Sequence, residues 1–276
     1  MRSKILAAGL ALACLGALGA CDNTPPKTAL GYTENAKRAY DAAMQDFDAH
    51  QWLEAQAAMR EVKRKYSYSK YARLAELRIA DADYAQEKFA EAIHEYKEFV
   101  RAHRSDDEGV AYARGRVAEA TYAEIPESIL MPAAEERDQA AVLDAYNEIR
   151  SFLTDYPTAK ESPHLRDLLG QSIGRLIRHE LYVARFYLGK SNYEAAVARI
   201  KYALEHYPEK SEGPSTSSAQ TSLSAEALLL LGETYLKMRK WTDARGAFEA
   251  IVSLHGLTAE ATQARNYLNH LKELGV

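Results

Sequence analysis

Small residues return along this chain in step with aromatic ones, and that rhythm restricts its folds more than any other feature. Between positions 226 and 256, Leu231-Gly232 is followed by Tyr235, then by Ala244, Phe248 and Ile251. Between 177 and 210 the same order returns as Val183-Ala184, Tyr187, Ala196, Ile200, Ala203 and Pro208. Ile79-Ala80, Ala92, Tyr96 and Phe99 give a third copy over 73–106. A fainter one starts near Ala36, with Ala42-Ala43, Ala55, Met59 and Val62. A stretched one carries Gly115, Ala145, Ile149, Phe152 and Pro157 over 108–157. Within each copy apolar residues fall every three or four positions, the period of a helix face. The prolines at 126, 132, 157, 163, 208 and 214 fall between the apolar-periodic segments, where a residue that breaks helical hydrogen bonding must sit.

Two antiparallel helices per copy fit this order, with the small residues letting them close to the usual 8–10 Å and the aromatics filling the space to the next pair. The spacing resembles the tetratricopeptide repeat of 34 residues. An alanine-rich bundle shares the period but not the paired markers. The expected fold is therefore all-α, a tetratricopeptide-repeat superhelix of about five helix-turn-helix repeats with a C-terminal capping helix. The repeats are placed near 36–69, 73–106, 108–157, 177–210 and 225–257, and the cap at 258–274. The marker alanines Ala55, Ala92, Ala145, Ala196 and Ala244 are 37, 53, 51 and 48 residues apart, so the array is uneven. An insertion at 124–136 accounts for one departure, a lengthened first helix reaching back to about Leu165 for another, and a Ser/Thr-rich loop at 209–222 for a third.

The first twenty residues read as a leader. Arg2 and Lys4 precede a run from Ile5 to Ala20 that carries no charge and is too short to cross a bilayer. It ends in Leu18-Gly19-Ala20-Cys21, which resembles the bacterial lipobox, in which the cysteine is acylated and becomes the first residue of the mature chain. On this reading 1–20 is a signal peptide, Cys21 carries the lipid, 21–33 is an extended tether rich in Pro, Asn and Thr, and 34–276 is the repeat domain. Cys14 fits less well, because cutting there truncates the apolar run. Removing Arg2 and Lys4 takes two charges from 35, leaving 33 basic residues against 39 acidic ones. A body of that charge is not drawn to anionic lipid, so the acyl chains would hold it on the membrane. The same balance argues against a nucleic-acid binder, which needs a basic face.

The chemistry-bearing motifs are absent or incomplete. His179-Glu180 opens like a zinc-protease helix, but Val183 stands where the second histidine belongs. Glu127-Ser128 resembles the Glu-Ser of lytic transglycosylases, without the lysozyme-like domain that must follow. Asp81/Asp83 and Glu135/Glu136 read as solvated helix faces or loop ends. No catalytic residue, metal site or cofactor is expected. The 18 tyrosines are more suggestive. Tyr66, Tyr68, Tyr71 and Tyr84 gather around the junction of the first two repeats and are candidates for a concave surface that takes up an extended peptide, the alternative being plain core.

The most specific stretch runs from Phe152-Leu153-Thr154-Asp155-Tyr156-Pro157, through Glu180-Leu181-Tyr182-Val183-Ala184-Arg185-Phe186-Tyr187, to Ala196-Val197-Ala198-Arg199 and Tyr207-Pro208, with Val110-Ala111-Tyr112-Ala113-Arg114-Gly115 upstream. With the lipobox, these segments resemble the BamD family of lipoproteins, which serve the machinery that folds β-barrels into the bacterial outer membrane. The resemblance implies a non-enzymatic scaffold in the outer membrane, lipid-anchored and facing the periplasm. Its implied partners are the POTRA domain of the barrel assembly subunit and unfolded outer-membrane proteins. It also implies that Arg199 occupies the place of an arginine used in docking on that subunit. Asp22 after the cysteine is a signal for inner-membrane retention in enteric bacteria, which leaves that membrane as the other location. The rival reading is another periplasm-facing repeat scaffold, such as a pilotin or an envelope-division adaptor.

Overall fold

The computed structural model describes residues 29–127, 130–207 and 218–275. The leader, Cys21, Ser128, and the part of the Ser/Thr-rich loop up to 217 lie outside them. Among the described residues there are eleven α-helices and no strand. They pair as α1 (Ala29–Asp48) with α2 (Trp52–Lys65), α3 (Lys70–Ala85) with α4 (Phe89–Ala102), α5 (Asp107–Ala123) with α6 (Ala140–Asp155), α7 (Ser162–Gly189) with α8 (Tyr193–His206), and α9 (Ser218–Lys237) with α10 (Trp241–Leu254). A last helix, α11 (Ala259–Glu273), closes the array. The chain forms a tetratricopeptide-repeat superhelix.

Every helix touches the next one along the chain. The odd-numbered helices also touch their next-but-one neighbours, whereas the even-numbered helices do not touch one another. The odd helices therefore form the inner layer of the curve and the even ones fan out on its convex side. The core follows the same order as a chain of clusters at successive junctions. Met59, Val62, Ala75 and Ile79 join α1 and α2 to α3, Leu77, Tyr96, Phe99 and Val117 join α3 and α4 to α5, and Ala118, Ile149, Phe152 and Leu165 join α5 and α6 to α7. Each pair thus buries its apolar face only by stacking on the next.

Local chemistry sets the turns. In four of the pairs a residue in the left-handed region stands two positions past the end of the inner helix: His50, Glu87, Ser191 and Arg239, with φ between 58° and 60°. Two residues later an aromatic opens the outer helix, as Trp52, Phe89, Tyr193 or Trp241. Phe47 meets Trp52 edge-on at 5.2 Å, and Tyr84 meets Phe89 at 5.4 Å, so the ring pins the reversal. At the other edge the residue closing each outer helix is Tyr66, His103, Tyr156, Tyr207 or His255, each returning its N–H to the carbonyl four residues back. Ser69, Asp106 and Thr258 then cap the next helix through their side-chain oxygens.

Three expectations change. The tether was placed to 33, but α1 already begins at Ala29. Tyr32 meets Tyr66 edge-on at 5.4 Å and joins the first cluster, and that contact draws the segment into the helix despite the cost of Gly31. The Ser/Thr-rich loop was placed to 222, but α9 already begins at Ser218, while the insertion at 124–136 stands and holds a short 3-10 turn, Ala134–Glu136, with its Glu135 carbonyl 2.8 Å from His179 Nδ1 of α7. The pair Asp81/Asp83 is buried, not solvated. The lengthened first helix of the fourth unit is α7, 28 residues long.

Candidate protein-binding surface

Asp81 sits on α3 at 6% exposure, with Ala80 and Ala82 beside it in the core. A carboxylate this far from water needs ionised or hydroxyl donors, and three helices supply them. Tyr112 of α5 donates to its Oδ1 at 2.8 Å, Tyr96 of α4 donates to the same oxygen, and Arg78, one turn back on α3, pairs with Oδ2. Arg116 of α5 stands 3.7 Å from Oδ1, is paired with Glu119, and lies over the ring of Tyr84 at 3.9 Å. Arg78 Nε reaches Tyr40 of α1 at 3.4 Å. Burial, and then the Asp81 charge, push the hydroxyls of Tyr96 and Tyr112 well above the usual tyrosine range. The result is a row of aromatic rings and guanidinium planes across the inner helices α1, α3 and α5, fixed from below by one acid.

The four tyrosines expected at a peptide surface do not form one patch. Tyr84 belongs to this row. Tyr66 is buried against Tyr32, and Tyr71, half-buried, leans on Tyr40 at 5.7 Å. Tyr68 is 95% exposed on the turn between α2 and α3.

A second constellation lies on the fourth pair. Arg199 of α8 donates from Nη1 to Glu180 Oε2 of α7 at 3.2 Å. The side chain of Arg199 is 45% exposed, whereas Glu180 is 6% exposed. Tyr207 closes α8 beside them, edge-on to Tyr146 at 5.9 Å and to Tyr202 at 6.0 Å. Burial, then a hydrogen bond with Tyr202 and the nearby Glu180 charge, push the Tyr207 hydroxyl up. Tyr202 is exposed and stacks on His206 at 3.9 Å. Glu127, considered as a lone catalytic acid, is paired with Arg175. A cavity of about 210 Å³ opens under the insertion between Ile125, Met131, Val142 and Arg175. Among the described residues no three His, Cys, Asp or Glu could hold a metal ion, and no helix is long and apolar enough to cross a membrane.

The family described as YfiO, outer membrane lipoprotein, matches residues 33–239, from α1 through α9. The chain belongs to that family. BamD-type outer membrane protein assembly factors are among its relatives. The Caulobacter vibrioides factor is 27% identical over 78% of this chain and 65% of its own length. The Vibrio cholerae factor is 22% identical over 84% of this chain and 91% of its own. The chain thus spans just under two thirds of the Caulobacter relative. The solved TPR2AB domain of yeast Sti1, in a complex with pHSP90, aligns over 86% of this chain and 97% of its own at 14% identity, with a TM-score of 0.40. The YfiO match ends at 239, so α10 and α11 extend past it.

Sequence reasoning singled out Arg199 but missed Glu180 and the Asp81 row. The signal was present in both. Glu180 stands three residues after Ile177 and four before Ala184, inside a stripe of core residues. Asp81 is flanked by Ile79, Ala80 and Ala82, again a core stripe. An acid placed on the buried side of an amphipathic helix announces a paired charge.

Proposed function

We propose that this chain is a non-catalytic scaffold of outer-membrane β-barrel assembly. In this reading the fourth pair docks, through Arg199 and the exposed Tyr202, on the POTRA region of the barrel assembly subunit. The inner layer around Tyr84, Tyr112 and Arg78 receives extended segments of unfolded outer-membrane proteins, with Tyr71 and Tyr68 at its N-terminal end. Tyr66 then serves the first junction. Acyl chains on Cys21 hold the molecule to the outer membrane on its periplasmic side.

The similarity to BamD-type assembly factors supports the assembly role, and the geometry supports the manner. Stacked helix pairs offer a long curved surface, and rings and guanidinium planes held by buried acids are the groups that anchor protein interfaces. Depletion of the chain in its own bacterium tests the reading. General loss of barrel proteins from the outer membrane is expected. Loss confined to one appendage, secretin or division apparatus would contradict it and favour a pilotin or division adaptor.

A further inference from the structure

Glu180 has no role in the docking reading as stated, yet its surroundings give it one. It is an acid on α7 with its side chain 8% exposed, and among the described residues its side-chain hydrogen bond comes from Arg199. Tyr207 lies close enough to feel its charge and is edge-on to Tyr146, and Arg150 of α6 lies 6.0 Å from the centre of the Tyr146 ring. A buried carboxylate needs a hydrogen-bond donor in place of water, so the contact that satisfies Glu180 also holds Arg199 in place. A guanidinium carries five donors in one plane. With Nη1 committed to Glu180, the remaining donors belong to a side chain that is 45% exposed, one helical turn before the exposed Tyr202.

We propose that Glu180 is a positioning residue for partner docking: it fixes the plane of the Arg199 guanidinium so that its free edge meets hydrogen-bond acceptors of the partner already oriented. This rests on the reading of Arg199 as a docking residue. Because the pair is neutral as a unit, the contribution is one of orientation and not of long-range attraction. An arginine held in its bound orientation loses little freedom on association, whereas an untethered one must be ordered at that step.

The test uses the purified mature chain and the soluble POTRA domains of the barrel assembly subunit from the same bacterium. Dissociation constants are measured for the natural chain, R199A, E180Q and the double variant. R199A is expected to weaken binding tenfold or more, E180Q about fivefold, and E180Q is expected to add nothing once Arg199 is gone. E180Q binding as tightly as the natural chain, or weakening the R199A background by the same factor, would overturn the positioning role while leaving Arg199 as the docking residue. Unchanged binding by R199A would overturn the docking reading itself, and the role of Glu180 with it. A second measurement needs no change at 180. The Nη protons of Arg199, assigned by their loss in R199A, should give separate NMR signals in the natural chain because rotation about the guanidinium bond is hindered. One averaged signal, as for a free surface arginine, would also overturn the proposal.

Discussion

Gly232 on α9 lies directly against the ring of Phe248 on α10, and a Cβ at 232 would come to 2.7 Å from Phe248 Cζ. Phe248 in turn stacks on Tyr267 of α11 at 4.7 Å, with the two rings 9° from parallel. One missing side chain thus seats the aromatic that couples the last pair to the closing helix. The repeat pattern suggested that Gly232 makes room for Ala244; the closest atoms to it belong to Phe248, one helical turn further on.

Gly232→Ala should therefore destabilise the chain by about 1–3 kcal/mol, the usual cost of overpacking, even though alanine favours a helix. Gly246 on α10 has no atom within 4 Å of its added Cβ. Gly246→Ala should stabilise by up to about 1 kcal/mol. Thermal melts of the two variants check this, and the same sign for both would contradict the contact.

Most of the architecture was legible because the markers that reveal it are packing devices. Ala55, Ala92, Ala145, Ala196 and Ala244 are all fully buried, each early in an outer helix. The length of α7 was legible too, since its apolar period never breaks between Leu165 and Tyr187. What could not be read were contacts between residues distant in sequence. Asp81 meets Tyr96, Tyr112 and Arg116 only after α3, α4 and α5 have packed, so its charge looked like a solvated face. The start of α1 was hidden for the same reason, because the ring of Tyr66 that holds Tyr32 comes from the next helix. In the candidate site Arg199 was found through its resemblance to a family position, whereas Glu180, though it opens one of the family-like segments, shows its pairing with Arg199 only once α7 and α8 have packed.

Asp81→Ala removes the acceptor shared by the Tyr96 and Tyr112 hydroxyls and by Arg78, and the charge that faces Arg116. It should cost about 3 kcal/mol, as the loss of one member of a buried charged pair does. Tyr96→Phe, which removes one donor and keeps the ring, should cost about 1 kcal/mol. Urea unfolding of both variants measures these losses. A loss below about 1 kcal/mol for Asp81→Ala would mean that water reaches this acid in solution.

The tyrosines give the fold a distinct alkaline limit. Burial is the leading cause that pushes Tyr84, Tyr96, Tyr112, Tyr207 and Tyr267 above the ordinary tyrosine value. The folded chain keeps these protons where the unfolded chain, titrating near pH 10, gives them up. The stability they contribute is complete below about pH 10 and falls as pH rises above it. In an alkaline titration, part of the tyrosinate absorbance should appear only as the helical circular dichroism collapses. An absorbance change that finishes while the helices remain intact would contradict this.

In the proposed reading Cys21 carries the lipid, and Cys21→Ser removes the thiol that would bear it. Cells making the variant should accumulate a longer precursor that takes up no labelled palmitate and leaves the membrane fraction. Persistent labelling would place the anchor on another residue.

The most direct measurement is affinity purification of the tagged chain from its own bacterium under gentle detergent, with its partners identified by mass. Recovery of the barrel assembly subunit from the natural chain, and its loss or sharp reduction from R199A, is the expected result. Recovery of a secretin, pilus or division apparatus without that subunit would contradict the assembly role.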